Sequence, residues 1–319
     1  MTAPTRLTAT STACLRRCPR QYHLRYDLGL ARIRQAAPLR LGGGYHLGLE
    51  LYHSGTGAEA AIQAATADYA TCPGWADPVE WTVECQTLRA LLAGHFWRYG
   101  QDDIQFVAVE QVFEIPLVSP DSGAVSRTFT VAGRFDGIVR LPDGRLAVLE
   151  YKTAGEDIAP DSEYWLRLRC DGQISLYVLA ARALGHDVAT VLYDVTRKPT
   201  IRLRQKETPE AFGQRLLADI GERPDYYYQR REIPRLEDDL AQFQAELWQQ
   251  GQYLLELRRR AAKLNDPAAA YFRNVNKLTC GTCDFADLCL NSVRVDSVSP
   301  PTGFEILDNV NPELTGDPQ

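Results

Sequence analysis

One segment constrains this chain more than any other: Gly133-Arg-Phe-Asp136-Gly-Ile-Val-Arg-Leu-Pro-Asp-Gly-Arg-Leu-Ala-Val-Leu-Glu150-Tyr151-Lys152. Apolar runs flank the turn sequence Pro142-Asp143-Gly144, so the segment reads as an antiparallel hairpin. With the turn centred on Asp143, residues placed symmetrically about it face each other, and Asp136 opposes Glu150. Directly opposed side chains share a face with Cβ atoms about 5 Å apart, and strand alternation adds Lys152 to that face. Ile138, Val139, Leu146, Val148 and Leu149 mark the hairpin as buried, where uncompensated charge is costly. Two acids so placed repel unless a cation joins them, and oxygen ligands of this kind suit Mg²⁺ or Mn²⁺. The plainer alternative is an ion pair from Lys152 to one acid on a solvated face.

The remaining pattern supplies a frame for the hairpin. Residues 1–30 read as a loop and a basic amphipathic helix, 45–71 as a helix beginning after Gly42-Gly43-Gly44, and 80–99 as a second helix. Residues 105–118 and 127–152 alternate as strands, followed by a helix at 171–185 and a strand at 189–196. From 208 to 263 the pattern is helical, ending in Arg258-Arg259-Arg260, and a Pro-rich, loosely held tail closes the chain. This order predicts an α/β fold, a mixed central sheet flanked by helices. With 319 residues, 45% hydrophobic and 24% charged, the chain is neither disordered nor fibrous. It has no run approaching the roughly 20 apolar residues of a membrane helix, and its start lacks the apolar core of a signal peptide. A cytoplasmic protein without membrane contact is expected.

Charge and cysteine placement narrow the function. The net charge of −6 hides a segregation. Arginines 6, 16, 17, 20, 25, 32, 34 and 40 stand against the single acid Asp27 in residues 1–40, whereas 41–130 is strongly acidic. Such a step can steer a polyanion, or it can be a solvated surface. Eight cysteines without a secretory signal point to metal or cluster ligation rather than disulfides. Cys280, Cys283 and Cys289 have the spacing to converge on one centre, with the fourth thiolate from elsewhere; Cys14 and Cys18 compete for it. Cys72, Cys85 and Cys170 stand alone as small hydrophobes.

Asp136 followed after a hairpin by Glu150-Tyr151-Lys152 resembles the core of the PD-(D/E)XK nucleases, and GRFDGIVRLPDGRLAVLEYKTA is similar to their RecB-like branch. Leu41-Gly42-Gly43-Gly44-Tyr45-His46 resembles the family's glycine-preceded histidine, and Gln173-Ile-Ser-Leu-Tyr177 its helical Gln-x-x-x-Tyr motif. Cys18-Pro19-Arg20-Gln21-Tyr22 with Cys280, Cys283 and Cys289 resembles the split cysteine set of iron–sulfur members such as the AddB C-terminal nuclease domain and the CRISPR-associated RecB-like exonucleases. The likeness covers roughly residues 8–52, 105–200 and 275–292; Phe135 stands where the family name places Pro, and Glu150 where many RecB-like members have Asp.

The resemblance implies a restriction-endonuclease-like core in a single nuclease domain over residues 1–319. Its parts are a basic segment 1–40, a helical segment 41–104 with the motif His, the core 105–200, a helical segment 201–274, the cysteine cluster 275–292 and the tail 293–319. It implies a Mg²⁺- or Mn²⁺-dependent deoxyribonuclease, exonuclease or end-processing, acting on single-stranded DNA or ends in repair or recombination. His46, Asp136, Glu150 and the backbone carbonyl of Tyr151 would hold the metal, and Lys152 would orient or help deprotonate the attacking water. Gln173 would steady that group and Tyr177 would approach the phosphate backbone. Cys18, Cys280, Cys283 and Cys289 would hold a [4Fe–4S] cluster, with Zn²⁺ as the alternative. Arg16, Arg17, Arg20, Arg25 and the 258–260 cluster are candidates for DNA contacts. Tyr226-Tyr227-Tyr228 beside Arg230-Arg231 could stack unpaired bases or pack in the core. His23, His53, His95 and His186 match no motif. No Gly-x-x-x-x-Gly-Lys-Ser/Thr loop occurs, so unwinding would need a helicase partner. A non-catalytic nucleic-acid-binding module and a hydrolase of another phosphoester are the competing readings.

Overall fold

A computed structural model of the chain describes residues 4–295 and 299–315, so parts of the expected tail lie outside the described residues. The alternating segments form Gln105–Val118 (β3), Val125–Arg140 (β4) and Leu146–Ala154 (β5), consecutive antiparallel strands. In β4 and β5, Gly137 pairs with Leu149, Ile138 with Val148 and Val139 with Ala147, the register centred on Asp143. β5 then pairs in parallel with Val188–Arg197 (β6), reached through the helix Gly172–Ala183; parallel neighbours require such a crossover. Thr5–Leu7 (β1) lies parallel to β4, and Tyr228–Ile233 (β7) closes the far edge antiparallel to β6. The result is a mixed six-stranded sheet ordered β1-β4-β5-β6-β7, with β3 on the other edge of β4.

Strand alternation splits the core between the two faces of this sheet. Val131, Phe135, Val148 and Tyr193 pack with Leu15, Ile174 and Phe243 of the helices Ala9–Arg17, Gly172–Ala183 and Glu237–Ala261. Val139, Ala147, Leu149 and Leu192 pack with Leu49, Leu88 and Phe212 of Ala37–His53, Pro78–Tyr99 and Pro209–Glu222. The fold is thus a mixed α/β sheet with helices on both faces.

The structure departs from the sequence pattern in three places. The glycine run 42–44 lies inside the helix Ala37–His53, not ahead of it, and Ala58–Ala65 is a separate helix. The reason is close packing: a Cβ on Gly44 would come within 2.6 Å of Leu88, and one on Gly48 within 2.6 Å of Leu92. Secondly, β7 interrupts the expected helix 208–263, because its backbone satisfies the edge of the buried strand β6. Thirdly, the tail is not loose throughout: Phe304–Ile306 (β8) pairs antiparallel with Leu30–Arg32 (β2), and Phe304 packs on Phe285.

β7 also settles the tyrosine run. Tyr227 and Tyr228 are buried, and the Tyr228 hydroxyl donates to the Leu91 carbonyl at 2.8 Å, so these two rings are core and cannot stack bases. Arg230 is drawn inward as well, its Nε 2.7 Å from Asp194 Oδ2, which also meets His95 Nε2 at 2.9 Å. Burial pushes the Asp194 carboxyl up, but Arg230 and His95 outweigh it and hold the group at about 2, below its ordinary 3.8. Its stabilisation is therefore present above pH 3.8 and is lost as pH falls through 2. Asp194→Ala leaves the mostly buried Arg230 guanidinium with Asp102 as its remaining acid and His95 without its partner, and is expected to lower stability by roughly 3 kcal/mol, measured by urea denaturation at pH 7; a loss within experimental error would reject the network as a structural clamp.

Candidate metal centre and cysteine cavity

The ladder between β4 and β5 ends at Gly137 and Leu149, after which β5 continues beside β6. Asp136 and Glu150 stand at this fork. Asp136 Oδ2 accepts the Tyr151 backbone N–H at 2.7 Å, and its Oδ1 lies 3.3 Å from His46 Nδ1. His46 arrives from the helix Ala37–His53, with about a third of its side chain exposed. The pairs Val109–Gly137 and Gln111–Phe135 put Glu110 of β3 opposite Asp136 on the other edge. Ligand atoms of His46, Glu110 and Asp136 all lie within 4.8 Å of one another, the one such set among the described residues. Glu110 has φ +47, a left-handed conformation costing about 1–2 kcal/mol in an L residue, and its Oε2 lies 2.8 Å from Arg134 Nε.

Glu150 belongs to a second, adjoining group. It is 4% exposed, and its Oε1 accepts from Lys152 Nζ at 2.7 Å and Gln173 Nε2 at 2.8 Å. Its Oε2 is buried with no partner. Lys152 Nζ also donates to Gln173 Oε1 at 2.9 Å, so one amide grips both the acid and the lysine. Asp171 caps the helix Gly172–Ala183 by accepting the Gln173 N–H at 2.9 Å, which fixes the turn from which Gln173 projects. The Tyr177 hydroxyl accepts from Gln173 Nε2 at 3.1 Å, while its ring is wedged against Phe113 and Phe135. At 8% exposure Tyr177 buttresses Gln173 and is not presented to a phosphate backbone.

The electrostatics match a cation-binding acid cluster. Burial and then Asp136 push the Glu110 carboxyl up to about 8. Burial pushes Glu150 up to about 7 despite Lys152. Burial works against the charge on His46, but Asp136 outweighs it and lifts the imidazole to about 9. Burial would raise Asp136 too, yet His46 and the Tyr151 N–H bring its net shift downward. Lys152 loses solvation and is still held protonated by Glu150 and Asp171. The unpartnered Glu150 oxygen and the mixed nitrogen and oxygen donors fit a divalent cation such as Mn²⁺ or Mg²⁺.

A proton count follows. A cation needs neutral His46 and ionised Glu110, the reverse of their states at pH 7 without metal. Mn²⁺ uptake at pH 7 should therefore expel at least about one proton per ion, and affinity should climb between pH 6 and 9. Titration calorimetry in buffers of different ionisation enthalpy measures this; heats independent of the buffer would contradict it.

Cys18, Cys280, Cys283 and Cys289 all line one small cavity, and Cys14 does not; it packs on the main core, with burial pushing its thiol up to about 12. No three of these sulfurs lie within 4.8 Å of one another. The Asn274 N–H approaches Cys18 Sγ at 3.5 Å, and Arg17 Nη2 donates to the Thr279 carbonyl at 2.7 Å, seating the segment on the N-terminal helix. Of the four N-terminal arginines expected to touch DNA, Arg17 and Arg20 are thus tied to backbone carbonyls, Arg25 has a buried Nη1 without a hydrogen-bond partner, and Arg16 is exposed. Arg258 pairs with Asp27 at 2.8 Å, while Arg259 and Arg260 are exposed. Arg6 and Arg40 pair with Glu114 and Glu84, so part of the basic segment neutralises the acidic one internally.

The strand fork thus brings together the histidine, the acids, the lysine and the glutamine that the sequence resemblance singled out. The sequence model of the PD-(D/E)XK nuclease superfamily matches residues 6–290, and the chain belongs to that superfamily. Similar solved structures include SSO0001, 15% identical over 92% of this chain and 90% of that one, with a TM-score of 0.38. Another is a protein from Eubacterium rectale assigned provisionally as an exonuclease, 11% identical over 93% of this chain and 90% of that one, TM-score 0.45. No curated protein matches the sequence. No helix among the described residues is long and apolar enough to cross a membrane.

Proposed function

We propose that the chain is a Mg²⁺- or Mn²⁺-dependent deoxyribonuclease of the RecB-like iron–sulfur kind, acting as one domain on single strands or ends in the cytoplasm. The observation that carries the reading is the fork itself: His46, Glu110 and Asp136 within 4.8 Å, beside Glu150 with an unpartnered buried oxygen. These four residues, with the Tyr151 carbonyl, would hold the ion. Bound there, it would acidify a water and neutralise charge developing on the scissile phosphate. Glu150, gripped by Lys152 and Gln173 through one oxygen, would offer its other oxygen to the ion, and the Lys152 ammonium would support the negative charge that builds as the bond breaks. Gln173 fixes both side chains in place.

Iron–sulfur ligation by Cys18, Cys280, Cys283 and Cys289 is supported by their common cavity and free thiols. With no phosphate-cradling loop of its own, the chain would rely on a helicase or recombination partner to open duplexes. The test is an assay of anaerobically purified protein on end-labelled single- and double-stranded DNA, with and without Mn²⁺. Cleavage of single strands or ends that needs the metal is expected; no cleavage of any end, flap or strand would reject the nuclease and leave a binding module.

A further inference from the structure

A groove of about 460 Å³ runs between the helices Ala9–Arg17 and Glu237–Ala261, lined by Leu15, Arg16, Pro19, Gln250, Tyr253 and Phe272. Three observations give it a purpose. First, it presents aromatic faces: Phe272 is 59% exposed and Tyr253 is 36% exposed. Second, the Phe272 backbone is pinned while its ring stands in water. The Arg20 N–H donates to the Phe272 carbonyl at 3.2 Å, Arg20 Nε donates to the Tyr271 carbonyl at 3.1 Å, and the buried Tyr271 ring stacks on His23 at 4.3 Å. Third, the groove reaches the N-terminal turn of the helix that carries Gln173. A Cβ on Gly172 would lie 3.5 Å from Arg16 Nη2, and the next residue is Gln173, which grips Glu150 and Lys152.

The lining carries one guanidinium and no carboxylate in a chain of net charge −6; Glu256 lies a turn beyond Tyr253 and Glu246 a turn before Gln250 on the same helix. A site that pairs a cation with exposed rings suits a polyanion whose bases are unstacked. A duplex keeps its base faces covered, whereas a single strand offers one to each ring. We propose that this groove is a subsite for the unpaired nucleotides of a single DNA strand leading away from the scissile phosphate. Phe272 and Tyr253 stack on bases, and Arg16 engages the phosphate nearest Gln173. The inference rests on the nuclease reading and extends it to the path of the strand.

Fluorescence anisotropy of the full chain with a labelled oligothymidylate, without divalent cation, tests it. Phe272→Ala should weaken binding roughly 5- to 150-fold, and Phe272→Trp should restore it. Arg16→Ala should lower the salt slope by about 0.7. Binding of a blunt duplex should not respond to Phe272→Ala. If Phe272→Ala binds and cleaves single strands as wild type does, the subsite is refuted while the nuclease stands. Equal losses on duplex and single strand, tighter binding of oligouridylate with the same Phe272 dependence, or loss of self-association in place of DNA binding would each overturn it. A wild type that neither binds nor cleaves single strands refutes the subsite, and one that cleaves no strand, flap or end removes the nuclease reading with it.

Discussion

If the proposed nuclease reading holds, Asp136→Asn is expected to abolish metal-dependent cleavage while the fold and whatever the cysteine cavity holds stay as in wild type. Asp136 is the one side chain that touches both halves of the fork, meeting His46 with one oxygen and the Tyr151 N–H with the other. The asparagine keeps an acceptor for that N–H and removes the charge a cation needs, which makes it a cleaner probe than alanine. Metal assistance supplies several kcal/mol of charge stabilisation, so its loss should lower the rate by about a thousandfold or more. Two companions give the result its meaning. Glu110→Gln should weaken Mn²⁺ binding by about tenfold or more, because Glu110 belongs to the same 4.8 Å set. Lys152→Ala should be inactive and still bind Mn²⁺, since an ammonium has no lone pair to give. Full activity of Asp136→Asn would place the reacting centre elsewhere, and unchanged Mn²⁺ affinity in Glu110→Gln would remove β3 from the ligand set.

The difference between Asp136 and Glu110 shows what a sequence can disclose. The hairpin turn 142–144 is short, so the register of β4 against β5 follows from counting, and the observed pairs are those that counting gives. β3 reaches β4 through an irregular connection, with register shifts near Phe106 and Pro116. Which residue of β3 faces Asp136 cannot be counted across it, and Glu110 was missed. The available signal was an acid interrupting the apolar run Phe106-Val-Ala-Val-Glu110, but its left-handed φ has no signature in that run. β7 was hidden for a different reason: Gln229, Arg230, Arg231 and Glu232 erase the apolar alternation of a strand, which exists because β6 needs an edge partner. The glycine run was visible but misplaced, since glycine reads as a helix boundary unless the helix packed against it is known.

The cysteine segment leads to the other large effect. Its own core holds only four buried residues, Leu24, Leu30, Phe285 and Phe304, too few to fix it unaided. Hydrogen bonds from Asn274 and Arg17 dock it on the first helix, yet these are few and partly solvated. A cluster bridging Cys18 to Cys280 would close a loop around nearly the whole chain, worth about 5 kcal/mol in a chain-entropy account. Anaerobically purified wild type should accordingly be brown. Cys280→Ala should bleach it and expose the bonds beyond Tyr271 to limited proteolysis, while the sheet and both helical layers persist. Cys18→Ala should behave alike, because its sulfur faces the shared cavity, whereas Cys14→Ala should keep colour and resistance, because that thiol packs on the main core. Stoichiometric zinc without iron would replace the cluster by a zinc centre. Cys280→Ala protein as resistant as wild type would mean that the hydrogen bonds alone hold the two ends together.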